Sequence, residues 1–226
     1  MALRPNFRLY LITDRRLAET NGGLLAVIER ALHGAAQTAE PGSVAVQLRE
    51  KDLDARELVE LGSALRRVCS AYGAPMLIND RIDVAIAIGA DGVHLPARSY
   101  SPGDARALLG PSRLIGVSTH TLEELADASA AGADFAVFGP VFEPISKTAY
   151  TMSTGAAGLA AACAQSSIPV FALGGISVAR LGALRQAPEF RGATSFAGAA
   201  VIGAVIGSRD PAAAARELLA ALEAAP

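Results

Sequence analysis

MLINDRIDVAIAIGADGVHL, residues 76–95, contains a complete strand–helix–strand unit. Met76–Asn79 is a short apolar run that ends in the polar Asn79-Asp80-Arg81. Arg81–Ile88 spaces its apolar residues for a helix, and Gly89-Ala90-Asp91 breaks it before a second short run, Gly92–His94. Two strands joined by a helical crossover run parallel, since a parallel return needs a connection of about a dozen residues. The turn Gly132-Ala133-Asp134 repeats Gly89-Ala90-Asp91, so the unit recurs along the chain. Six further short runs complete the strands: Leu9–Thr13, Val44–Leu48, Leu114–Ser118, Phe135–Phe138, Val170–Leu173 and Ala199–Ile202. The remaining helices are expected at Leu24–Ala36, Asp54–Tyr72, Ser101–Leu109, Thr121–Ala131, Ala156–Gln165, Val178–Leu184 and Pro211–Ala224. Strands alternating with helices throughout predict an α/β chain forming a single (β/α)8 TIM barrel over 1–226, although an open doubly wound sheet shares the alternation.

Helix starts carry their own signals. Ser101-Pro102 and Asp210-Pro211 place a capping side chain before a first-turn proline, and Thr121 with Glu124 resembles a capping box. Asp80 is a candidate N-cap for the helix at Arg81. Gln186 to Phe196 reads as a long surface connection.

The composition narrows the class. With 51% hydrophobic and 19% charged residues in 226, the chain has ample material for a core and none of the signature of disorder. A net charge of −2 gives no electrostatic reason to expect nucleic acid or an acidic membrane as a partner. Runs such as Ala197 to Gly207 are too short to span a bilayer, and Asp14-Arg15-Arg16 comes too early for a secretory signal. Cys69 and Cys163, each in a helix-like stretch, read as buried thiols of a cytoplasmic protein.

In a barrel the residues after each strand gather on one face. After the second strand, alternation sends Gln47, Arg49 and Lys51 to one side, a set suited to a diphosphate or to a solvated helix start. Asp80 is also a candidate Mg²⁺ ligand, because hard cations prefer carboxylate oxygen. His120 is a candidate proton carrier, whereas His94 is expected inside the barrel. The loop from Glu143 to Gly155 is a candidate lid, from which Lys147 reaches a phosphate. Gly174-Gly175 and Ile202-Gly203 close the last two strands, where backbone N–H groups approach an anion.

The segments QLREK (47–51), INDRIDVAIAIGADGVHL (78–95), IGVSTHTLEE (115–124), GPVF with Lys147 downstream, and ALGGIS (172–177) resemble the thiamine-phosphate synthase family. That resemblance implies a (β/α)8 barrel, a homodimer, and Mg²⁺-dependent joining of hydroxymethylpyrimidine diphosphate to hydroxyethylthiazole phosphate with release of diphosphate. By position it implies that Gln47, Arg49, Lys51, Asn79 and Lys147 hold the pyrimidine diphosphate, with Asp80 on Mg²⁺ and Ser118 near the pyrimidine. Gly175, Ile202, Gly203 and Ser146 would take the thiazole phosphate. Two positions depart from the family. Ser99 stands where a second metal-binding aspartate is expected, and Pro144 replaces a phosphate-binding threonine. The run LPARSYSP (95–102) instead resembles the sister thiazole tautomerases, metal-independent enzymes in which the histidine matching His120 moves the proton. A non-catalytic regulatory barrel that binds thiamine precursors is the third reading.

Overall fold

A computed structural model describes residues 5–143, 153–190 and 196–223. Eight parallel strands close on themselves in sequence order: β1 (Leu9–Ile12), β2 (Val44–Leu48), β3 (Met76–Asn79), β4 (Gly92–Leu95), β5 (Leu114–Thr119), β6 (Phe135–Phe138), β7 (Val170–Leu173) and β8 (Gly198–Val201). Closure comes from β1 pairing with β8 in the register Leu9↔Ala199, Tyr10↔Ala200 and Leu11↔Val201. The open-sheet alternative is thereby set aside. Each strand lies within a residue or two of its expected position.

Around the strands run α2 (Leu24–Ala35), α3 (Ala55–Ala71), α4 (Ile82–Ala87), α5 (Pro102–Leu109), α6 (Leu122–Ala130), α7 (Gly155–Gln165), α8 (Val178–Gln186) and α10 (Pro211–Glu223). Two four-residue helices were not foreseen: α1 (Arg15–Ala18) before α2, and α9 (Gly203–Ile206) directly after β8. Both are too short for a periodicity to register. The connection after α8 contains a 3-10 turn, Pro188–Phe190.

Strand alternation divides the core into two layers. Leu9, Leu11, Val46, Ile78, Val93 and Ile115 face outward onto the helices, while Tyr10, Ala45, Leu77, Phe135, Phe171 and Ala200 fill the barrel. Phe7 plugs its lower end against Phe135 and Phe171, with ring centroids 5.3 and 5.0 Å away. Gly116 makes room for that cluster, since a Cβ there would run into the Phe135 ring.

The repeated Gly-Ala-Asp turns do the same work twice. Asp91 accepts the N–H of Met76 at 2.7 Å and pairs with Arg66; Asp134 accepts the N–H of Ile115 at 2.8 Å and pairs with Arg106 Nη2 at 2.6 Å. In both, an aspartate leading into one strand caps the start of the previous strand and binds an arginine from the helix before it. Asp134 is fully buried, whereas the Asp91 side chain is 35% exposed. The arginines left behind are comparably exposed, 26% for Arg106 and 28% for Arg66, so the difference lies in the carboxylates: hydrogen bonds to a fully buried charge are worth about 1.5–3 kcal/mol each, while a partly solvated pair is worth about 1 kcal/mol. Urea unfolding should therefore show Asp134→Ala losing at least about 3 kcal/mol and Asp91→Ala clearly less. Equal losses would deny burial its role.

Candidate functional site

Every chain segment leaving a strand emerges at the same end of the barrel, and the side chains just below that rim are polar. Gln47 is almost wholly buried. His94 is buried too, with Nε2 2.9 Å from Ser118 Oγ. Burial, assisted by the positive charge of Arg49, pushes the His94 pKa down to about 3, so the ring is neutral. Beneath it lies Tyr10, ring centroids 5.6 Å apart. Tyr10 Oη, Gln47 Nε2 and His94 Nδ1 are buried without a hydrogen-bond partner among the described residues. Each such atom costs roughly 1–3 kcal/mol where nothing meets it; Tyr10 Oη and the Gln47 side chain face one another, and His94 Nδ1 is turned toward Gly116.

The rim is built by clamps. Buried Glu50 accepts from Thr13 Oγ1 at 2.7 Å and from the N–H of Arg15 at 3.1 Å, and Thr13 Oγ1 accepts the N–H of Arg49 at 2.9 Å. The loops after β1 and β2 are thus locked together, and Arg49 is set by its own main chain. Arg15 and Arg16 are engaged by Asp52, and Arg81 by Asp83. Arg49, Lys51 and Arg98 have no carboxylate partner among the described residues. Strand alternation carries Gln47 inward, but β2 ends at Leu48. Arg49 is half-buried, and Lys51 stands exposed in the turn beyond, outside the reach of that alternation.

Asp80 does not cap the helix, contrary to one expectation. α4 begins one residue later than expected, behind Arg81, and has no side-chain cap. Asp80 instead adopts φ +64, the left-handed region that non-glycine residues seldom occupy, with its N–H bonded to His94 O at 2.9 Å. Its carboxylate accepts the hydroxyl of Ser99. The two positions expected to share a metal do meet, one of them as serine. Among the described residues no three His, Cys, Asp or Glu side chains gather as a metal site. Asn79 is half-buried at the end of β3, opposite His94.

His120 lies exposed past β5. Its Nδ1 donates to Gly139 O at 2.6 Å, since a carbonyl can only accept, and this leaves Nε2 as the free ring nitrogen. Thr121 caps α6 as expected, but Glu124 reaches back to the N–H of His120 instead of closing a box on Thr121. On the opposite side, Gly174 and Gly175 have φ of +101 and +59. Their N–H groups bond to no backbone acceptor among the described residues. A Cβ at Gly203 would meet nothing within 4 Å, so there is space above the neighbouring turn, next to the half-buried Ile202. Pro144, Ser146 and Lys147 lie outside the described residues. Cys69 and Cys163 are free thiols whose burial pushes both up to about 12, which leaves them unreactive near neutral pH.

Comparison with known proteins agrees with this arrangement. The family model described as thiamine monophosphate synthase matches residues 9–205. A putative thiamine-phosphate synthase of Geobacter sulfurreducens is 50% identical over 221 residues, covering 97% of this chain and 96% of its own. The thiamine-phosphate synthase of Moorella thermoacetica is 40% identical over 219 residues, covering 95% of each. Among solved structures, a thiamine phosphate pyrophosphorylase from Pyrococcus furiosus superposes with a TM-score of 0.81 at 34% identity, covering 97% of both chains.

Neutral His94 makes stability pH-dependent. Unfolded, the imidazole takes up a proton near pH 6.5; folded, it resists protonation down to about 3. The unfolded state therefore binds more protons below pH 6.5, and stability falls by up to about 1.4 kcal/mol per unit as pH drops through that window. Urea titrations from pH 7 to 4 should show a smaller slope for His94→Asn than for the unmodified chain. Parallel slopes would mean that His94 is charged in the fold.

Proposed function

The chain belongs to the thiamine monophosphate synthase family, and from that premise we propose how its barrel mouth carries out the reaction. It is an enzyme of thiamine biosynthesis, a transferase of the thiamine-phosphate synthase type. One observation carries the assignment of residues: the rim neutralises Arg15, Arg16 and Arg81 with carboxylates and leaves Arg49, Lys51 and Arg98 without any among the described residues. Unpaired cations above a buried polar floor suit a substrate with an anionic head and a polar aromatic body.

In this proposal, the diphosphate of hydroxymethylpyrimidine diphosphate rests against Arg49, Lys51, Lys147 and Asn79. The pyrimidine descends toward Gln47 and Ser118, whose amide and hydroxyl offer partners for ring nitrogen and amine. Hydroxyethylthiazole phosphate binds across Gly174, Gly175, Ile202 and Gly203, with Ser146 adding its hydroxyl. For Mg²⁺ the donors fit in kind: Asp80 brings a carboxylate and Ser99 a hydroxyl in contact with it, both hard oxygen ligands. When bound, Mg²⁺ supplies positive charge to the departing diphosphate.

The reaction breaks the bond between the pyrimidine methylene and its oxygen. That electron pair leaves on diphosphate, and the thiazole nitrogen lone pair forms the new carbon–nitrogen bond. Arg49 and Lys51 stabilise the negative charge as it accumulates, half-buried Arg49 more strongly than exposed Lys51. Neutral His94 keeps positive charge away from the carbon that is losing electrons. No residue need act as a nucleophile. One domain spanning 1–226 supplies all of these groups. The expected homodimer has an apolar surface available at exposed Ile86 and Leu108, and a cytoplasmic setting accords with the absence of any helix, among the described residues, long and apolar enough to cross a membrane.

Supplying both substrates with Mg²⁺ should release diphosphate, and EDTA should abolish that release. Arg49→Ala should lower kcat/KM by about 100-fold or more, and Ser99→Asp should reduce the Mg²⁺ concentration needed for half-maximal rate. His120→Ala should keep most of the activity, because no proton transfer depends on it. Metal-independent proton exchange on a thiazole carboxylate phosphate, lost in His120→Ala, would establish the tautomerase reading instead. Absence of turnover at saturating Mg²⁺ rejects the synthase assignment.

A further inference from the structure

The turn after β7 is held by a side chain that no sequence motif announces. Arg180 sits in the first turn of α8, its N–H accepted by the capping Ser177 Oγ at 3.3 Å. From there the guanidinium folds back. Nη1 donates to Gly175 O at 2.7 Å and lies 3.4 Å from Glu143 O, and the guanidinium carbon is 5.0 Å from the centroid of the Phe142 ring. One planar cation thus grips both the turn that leaves β7 and the segment that leaves β6. Two main-chain bonds run beside it, Val141 N–H to Leu173 O at 2.7 Å and Phe142 N–H to Gly174 O at 3.2 Å. Gly175 makes the grip possible. A Cβ at that position would collide with Arg180 Nη1 and stand 2.7 Å from Glu143 O.

In a trans peptide the carbonyl and the N–H point in opposite directions. Drawing Gly175 O toward the guanidinium therefore aims the N–H of Ile176, which belongs to the same peptide unit, the other way. That N–H has no backbone acceptor among the described residues. A cation on the carbonyl also polarises the unit and strengthens its N–H as a donor. We infer that Arg180 is a positioning residue for anion binding by the Gly174-Gly175 turn: it sets and polarises the Gly175–Ile176 peptide without itself touching the substrate. This rests on the proposal that the turn receives the thiazole phosphate.

Arg180→Met keeps the packing on Phe142 but has no donor, and Arg180→Lys keeps a charge without the planar fork. Steady-state kinetics should show KM for the thiazole phosphate raised about tenfold or more in Arg180→Met and by less in Arg180→Lys. Both kcat and KM for the pyrimidine diphosphate should stay within about twofold, a split that general loosening of the fold would not produce. Inorganic phosphate titrated into isotopically labelled protein should shift the Ile176 amide resonance, and the shift should weaken in Arg180→Met. An unchanged thiazole KM, or equal rises for both substrates, overturns the assignment. If the unmodified protein forms no product, the synthase reading fails, and the phosphate titration alone then decides the role of Arg180.

Discussion

Closing a parallel sheet fixes two things together. The pairing of β1 with β8 satisfies the strands' hydrogen bonds without leaving an edge, and it makes the direction of every side chain a matter of odd or even position. A slip of one residue would exchange Tyr10 for Leu11 and Gln47 for Leu48, turning the polar layer onto the helices and an aliphatic layer into the mouth. The register therefore specifies the site as firmly as it specifies the core. His94 and Ser118 meet because both are inward positions of the paired strands β4 and β5, while Gln47 takes the inward position on β2.

Charge is sorted at the mouth in a way that composition could not reveal. A net charge of −2 describes the whole chain, yet Asp52 and Asp83 draw off Arg15, Arg16 and Arg81 and leave Arg49 and Arg98 without a carboxylate partner among the described residues. Glu50 shows how this sorting is achieved. It lies between Arg49 and Lys51 in sequence, so it looks like a neutralising partner for both. Its side chain turns to Thr13 and Arg15, where it ties two loops together.

The strands, the helices longer than two turns and the general location of the site were legible, because each rests on a period or on a chemical type. Strand pattern placed Gln47 inward, and the repeated Gly-Ala-Asp turns announced a repeated strand–helix unit, though not the aspartate–arginine clamp that each one builds. What escaped depends on contacts between residues distant in sequence. Asp80 read as a helix cap because an aspartate before a helix is usually one; only its left-handed backbone, bonded to His94 O, shows otherwise. Nothing near Arg180 in sequence indicates that Glu143, 37 residues earlier, is within its reach. Nothing in the first predicted strand marks Tyr10, and its buried hydroxyl comes to face Gln47 only once β2 packs beside it.

The two ends of the barrel treat polar groups in opposite ways, and the difference follows from what each end must do. Where the strands begin, Asp91 and Asp134 cap N–H groups and bind arginines, and Arg8 and Arg185 both donate to Leu222 O at the end of α10, the favourable end for a cation. Even there each of the two arginines keeps one buried N–H without a partner among the described residues. Where the strands finish, three buried side-chain atoms and the Gly174-Gly175 N–H groups lack partners among the described residues, and Asp80 adopts a strained backbone. Groups of that kind persist only when the rest of the fold prevents them from relaxing. The clamps at the lower end and the Glu50 and Arg180 ties at the rim supply that restraint, fixing the mouth in one geometry from both sides.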